Sequence, residues 1–313
     1  GASSITADMA VQFENVTRIP ANFWINNQRS YDEYQARLRH EESLKAAFPW
    51  AKNFPIAEMI RKNWIPAISS SIEKASALLS FFGFADPSAW EEYYMKQELK
   101  VAFRISLCHT NEPYAISAWL RQGELQALAL GQVEFSEKAF RDVLPEIRQI
   151  MVSRPDDFFT QLQALCLIAG VKVVYTPQLP KAPISGCTRW LNDTPLIQLT
   201  NRYKRYDIFW FTFFHEAGHI IKHGKKDIFL EIDGYTENEP DKESEANEYA
   251  ASWILTKQQE TEILRNLPLQ DLEIKRYAAK FNTHPTLIVG RLLHLNRISY
   301  REGREYLLPV SFD

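Results

Sequence analysis

The sequence predicts an α+β protein, with a helical N-terminal region followed by a smaller domain in which a small antiparallel sheet packs against an H-E-x-x-H helix. Three observations predict it. From residue 55 to about 170 apolar residues recur at i, i+3 and i+4 between Pro- and Gly-marked breaks, the period of amphipathic helices. After Gly170 the pattern shifts to short β-branched runs. Near the middle of that second half, His215-Glu216-Ala217-Gly218-His219 lies inside a strongly helical, aromatic-rich segment.

Residues 5–48 open the chain with helical spacing: Thr6 is a plausible N-cap, Arg18-Ile19-Pro20-Ala21 breaks the first helix, and Phe23 to Leu44 reads as a solvated amphipathic helix. Ser71–Phe82, Pro87–Met95, Pro113–Leu130 and Glu137–Met151 then give a bundle of short helices. Val171-Lys172-Val173-Val174-Tyr175, Ile184–Leu191 and Pro195–Thr200 are the expected strands, the last two joined by a turn at Asn192-Asp193. A helix from Lys204 to His223, an acidic loop, a helix near Glu243–Leu255 and two or three closing helices complete the expectation. There is no internal repeat. The organisation divides at residues 1–50, 51–168 and 169–313.

The 313 residues are 45% hydrophobic and 24% charged, which excludes disordered and fibrous chains. With 36 basic and 39 acidic residues the net charge is −3, so no global field holds the chain on nucleic acid or anionic membrane. Cys108, Cys166 and Cys187 are widely spaced and odd in number, which suits a reducing cytosol rather than a disulfide framework. No apolar run approaches the roughly 18 residues of a membrane span. No basic segment followed by an apolar core marks a signal peptide. The chain is expected to be cytoplasmic. Gly1-Ala2-Ser3-Ser4 without an initiator Met reads as a cloning or protease scar, so a segment is expected to be missing upstream.

The chemistry lies in the H-E-x-x-H segment. Two histidines four apart stack on one helix face and direct two imidazole nitrogens at one Zn²⁺. Glu216 lies about 100° around from His215, where it can serve as general base toward a water attacking a carbonyl. The same pentapeptide arises by chance in ordinary helices, so a third ligand matters. Glu243 and Glu245, 24 and 26 residues beyond His219, each complete a His₂Glu set, and spacing does not separate them. That set accepts Zn²⁺ or Mn²⁺. A closed structural zinc site is disfavoured, since such sites are usually Cys-rich.

His223, four beyond His219, reads as a helix-end cap rather than a ligand. His40, His109, His284 and His294 read as structural or surface residues. Cys187 reads as a small buried residue; were its strand to border the cleft, a thiolate there would block the metal. The segment Asp227–Glu248, nine carboxylates against one lysine, reads as a solvated loop.

With these residues in place, the chain resembles regulators of the ImmA/IrrE-type metallopeptidase family, in which a HigA-like helix-turn-helix often precedes a zincin-like domain. The resemblance rests on Ser185-Gly186-Cys187-Thr188-Arg189-Trp190-Leu191, on the stretch from Phe209 to Gly224 around H-E-x-x-H, and on Glu243-Ser244-Glu245-Ala246-Asn247. It implies Glu243 as the third zinc ligand, and Cys187 departs from the small residue usual there. Ile5–Ala10, Ile19–Gln28 and Tyr31-Asp32-Glu33 resemble the last helices of the helix-turn-helix and the linker after it, which implies that operator DNA is read by an upstream segment. The implied function is a zinc endopeptidase acting on a protein partner, a repressor or antitoxin, in stress, phage-response or toxin–antitoxin control, with residues 51–168 as a sensing or docking region. The alternative is a HigA-like transcriptional regulator whose zinc domain is a partner- or ligand-sensing scaffold. Homodimers fit either.

Overall fold

The computed structural model describes residues 4–96, 112–131, 134–224, 229–232 and 240–312. Cys108, His109 and much of the acidic loop lie outside the described residues. The chain forms two compact units, Gly1–Ala89 and Trp90–Asp313. No helix among the described residues is long and apolar enough to cross a membrane.

In the first unit, α1 (Ala7–Thr17) starts where Thr6 Oγ1 accepts the Met9 amide at 3.2 Å and ends at left-handed Arg18. Helix α2 (Ala21–Ala51) runs past the expected end at Leu44 and through Pro49, burying Leu44, Ala47 and Ala51. After α3 (Ile56–Arg61), α4 (Ser71–Phe82) is fixed by a Ser70–Glu73 capping box and stopped by Gly83 at φ 76°. Phe54, Met59, Leu78 and Phe82 form the buried centre of this unit.

The second unit holds the sheet. Helix α5 (Pro87–Glu91) crosses the boundary between the units in sequence, and α6 (Pro113–Ala129), α7 (Glu137–Ser153) and α8 (Phe158–Ile168) follow in the second unit. Strands β1 (Lys172–Tyr175), β2 (Ile184–Leu191) and β3 (Thr194–Leu199) lie close to the expected spans. Left-handed Asn192, at φ 57°, makes the β2–β3 turn. The sheet order is β1-β3-β2-β4. Strand β2 is antiparallel to both of its neighbours, whereas β1 runs parallel to β3, so the sheet is mixed rather than antiparallel throughout. Residues 176–183 join β1 to β2 at one end of the sheet, so β2 runs back one place removed from β1, and the hairpin then inserts β3 between them, parallel to β1. A fourth strand, β4 (Phe229–Ile232), comes from the segment expected to be loop. Its four residues are too short for periodicity to register among so many acids.

Strand alternation assigns the two faces of this sheet. On one face Arg189 donates to the Leu120 carbonyl of α6, and Gln198, the cross-strand partner of Cys187, donates to the Trp119 carbonyl at 2.7 Å. Gly123 lets α6 approach that closely, since a Cβ there would stand 2.0 Å from Gln198 Cδ. On the other face lies α9 (Tyr206–His223). Thr188 Oγ1 donates to the Glu216 carbonyl at 3.1 Å, and a Cβ on Gly186 would meet Thr212 Cγ2 at 2.6 Å.

Behind α9 lies α10 (Pro240–Ile254), then α11 (Lys257–Arg265), α12 (Asp271–Lys280) and α13 (Pro285–His294), with a one-turn α14 (Tyr300–Gly303) at the end. Phe209, Trp210, Phe213, Phe214, Ala217 and Ile220 are buried along one apolar side of α9, and Phe158 of α8 packs on Phe209 and Trp210.

Gly218 sets the spacing of α9 and α10: a Cβ there would lie 3.3 Å from Ala246 Cα and 3.1 Å from Tyr249 Cδ1. One turn away, Phe214 stacks on Trp253 at 5.2 Å. Gly218→Val pushes methyls into the α10 backbone and is expected to cost about 1–3 kcal/mol as overpacking. Urea unfolding should show a lower midpoint with an unchanged slope.

Candidate metal centre

Helix α9 presents His215 and His219 toward α10 and Glu216 toward the sheet, as 100° per residue requires. His215 is 2% exposed, His219 1% and Glu216 fully buried. From α10, Glu243 places Oε2 3.2 Å from His215 Nε2 and Oε1 3.3 Å from His219 Nε2, and the two Nε2 atoms are 3.0 Å apart. Ligands held tetrahedrally at about 2.0–2.1 Å from one zinc stand about 3.3 Å from each other. Each of these separations is close to that spacing, with a different carboxylate oxygen of Glu243 facing each imidazole, so the three side chains converge as a His₂Glu set around one ion would. Among the described residues they are the group suited to hold a metal ion.

Glu245, the other carboxylate at suitable spacing, is placed elsewhere: its Oε2 lies 3.2 Å from His223 Nε2. His223 is therefore drawn into the site's surroundings rather than left as an isolated cap, with Nδ1 3.1 Å from His219 Nδ1. Asn247, which the ligand spacing alone does not mark, places its Oδ1 3.1 Å from His215 Nδ1. An acceptor there keeps the proton on Nδ1 and leaves Nε2 for a metal. The signal was present, because Asn247 is one helical turn beyond Glu243 and shares its face.

Cys187 is absent from this cluster. It is fully buried, and strand parity puts it with Gln198 and Arg189 on the α6 face while Gly186 and Thr188 face α9. The sheet backbone separates its thiol from the metal side. Gly186 is the residue of that strand that touches the chemistry: a Cβ there would sit 2.5 Å from Glu216 Oε1.

Beside Glu243 a groove of about 670 Å³ is bordered by Phe211, Asn247, Glu248, Leu255 and His294. It shares Phe211, Asn247, Arg291 and His294 with a cavity of about 430 Å³ that reaches Ile208, Thr212 and Leu287. His294, expected to be unremarkable, borders both and packs its ring on Phe211 at 6.0 Å. His284 keeps a structural part, accepting the Thr286 amide as the N-cap of α13.

Burial lowers the His219 pKa from 6.5 to about 4, against the opposing pull of Glu243. Burial raises the Glu243 carboxyl, but its hydrogen bonds with the two imidazoles outweigh that and hold it well below 4.5. An unfolded histidine takes up its proton near 6.5, before folded His219 does. The metal-free protein therefore loses stability from this group as pH falls from about 6.5 toward 4, and keeps it above that window. Urea midpoints of metal-free protein should decline through that window. In His219→Gln the decline should be shallower.

Residues 166–292 match the Peptidase_M78 family model, described as the IrrE N-terminal-like domain. The match spans α9, α10 and the whole candidate centre. No curated protein and no solved structure matches the chain. From the end of α8 to α13, this chain is similar to the IrrE N-terminal-like domain of the M78 peptidase family.

Proposed function

We propose that the chain is a zinc-dependent endopeptidase-type regulator that cleaves a protein partner, a repressor or an antitoxin, in the cytoplasm. The observation that carries this reading is the convergence of His215, His219 and Glu243 at 3.0–3.3 Å beside a buried Glu216. In this reading the three ligands hold Zn²⁺, with Mn²⁺ as the alternative ion. The chemistry the ion would supply is Lewis acidity toward a peptide carbonyl and the attacking water. Glu216 takes the proton of that water and returns it to the leaving amine as the C–N bond breaks. Asn247 orients His215, and Gly186 leaves the space the Glu216 carboxylate occupies. The groove beside Glu243 receives the peptide.

Control in stress, phage-response or toxin–antitoxin systems belongs to the same proposal. So do operator binding by an upstream helix-turn-helix and a sensing or docking part for residues 51–168. Their support is the resemblance of residues 5–33 and of the motifs. The burial of Glu216 against Gly186, adjoining the two motif histidines, favours turnover over a partner-sensing scaffold, which has no use for a buried base at that point.

Elemental analysis of purified protein should find about one zinc per chain, lost in His215→Ala and retained in Glu216→Gln. Against partner proteins encoded beside it, Glu216→Gln should cut proteolysis by about 10²–10⁴-fold. Zinc without cleavage of any such partner would favour the scaffold. Gly186→Ala should keep its zinc and still lose about a hundredfold in rate, because the new methyl displaces the base.

A further inference from the structure

Beyond the ligands themselves, the site carries a second histidine and a second carboxylate in line with His219. From outside inward, Glu245 Oε2 lies 3.2 Å from His223 Nε2, His223 Nδ1 lies 3.1 Å from His219 Nδ1, and His219 Nε2 lies 3.3 Å from Glu243 Oε1. The His223 side chain is 4% exposed and that of Glu245 62% exposed, so the chain runs from solvent to the buried centre. We propose that His223, set by Glu245, is a positioning residue that holds His219 in its metal-binding tautomer. This rests on the reading of His215, His219 and Glu243 as a metal centre.

A carboxylate only accepts, so the His223 nitrogen facing Glu245 carries the proton. Neutral His223 then has a bare Nδ1, which accepts. The atom opposite it, His219 Nδ1, must donate, and the remaining lone pair of His219 is on Nε2, the nitrogen facing His215 and Glu243. The two ligand histidines thus reach one outcome by different means. His215 uses the single amide of Asn247, whereas His219 uses a two-residue relay that ends on an exposed acid. Each link joins α9 to itself or to α10, so the relay also depends on the close approach allowed by Gly218.

The test measures zinc affinity by chelator competition and follows the His219 Nδ1–H by proton NMR of the zinc-loaded full chain. Wild type should show a slowly exchanging downfield imidazole proton assigned to His219. His223→Phe keeps an aromatic ring but removes the acceptor. It should lose that resonance and weaken zinc binding by about 10–100-fold. Glu245→Lys replaces the outer acceptor by a donor and should weaken zinc by about tenfold more than Glu248→Lys, which makes the same charge change elsewhere on α10. Glu245→Gln keeps an oxygen acceptor and should restore most of the affinity lost in the lysine variant. Because Glu245 is exposed, its variants remain informative if His223→Phe does not fold. The relay is overturned if wild type binds zinc but Glu245→Lys matches Glu248→Lys, or if the His219 resonance survives in His223→Phe. A wild type that takes up no zinc would instead overturn the metal centre on which the relay rests.

Discussion

The second unit depends on one constraint: α9 must carry Asp207, Thr212, His215, Glu216 and His219 into buried surroundings. Each buried polar group costs about 1–3 kcal/mol when it lacks a partner. Its neighbours therefore have to supply specific atoms as well as apolar surface. Asp207 is answered by Arg205, His215 by Asn247 and Glu243, and His219 by His223 and Glu243. On the apolar side, Trp210, Phe213 and Phe214 anchor the helix among α8, α10 and one another. That packing keeps the polar atoms in register.

Two glycines set how closely the walls approach. Gly186 lets β2 press on the Glu216 side of α9, and Gly218 lets α10 press on the opposite side. The helix then sorts its motif by angle: the histidines face α10, which brings the carboxylates, and the glutamate faces the sheet. A ligand set and a base thus lie on one helix without competing for one position. The separation also explains why Glu216 is not drawn into the cluster formed by Glu243 and the two imidazoles.

Features carried by local pattern were legible in the sequence. Helix α9, strands β2 and β3, the left-handed turn at Asn192 and the pairing of motif histidines with an acid on the next helix all follow from periodicity or turn chemistry. The parallel placement of β1 was not, because strand order is set by how connections pack rather than by the strands themselves. β4 was hidden by its shortness. Glu243 and Glu245 are two apart, and only the angle between α9 and α10 separates a partner of both ligand imidazoles from a partner of His223. Cys187 is the reverse case: its parity relative to Gly186 could have been counted along the strand, and it directs the thiol away from the centre.

The segment similar to the IrrE N-terminal-like domain begins at residue 166, yet the physics of the sheet extends further back. Helix α6 closes the face opposite α9 through Trp119, Leu120 and Gln126, each of which bonds the sheet or the residue following it. Helix α7 contributes Phe140, Leu144, Ile147 and Met151 to the core that also holds Trp210 and Phe213. Arg148 of α7 donates to the carbonyls of Trp253 and Phe281, tying α10 to the end of α12. Without α6 and α7, Arg189 and Gln198 would lose their carbonyl partners, and the wall that fixes β2 against Glu216 would be unsupported. The centre is therefore a property of the unit Trp90–Asp313.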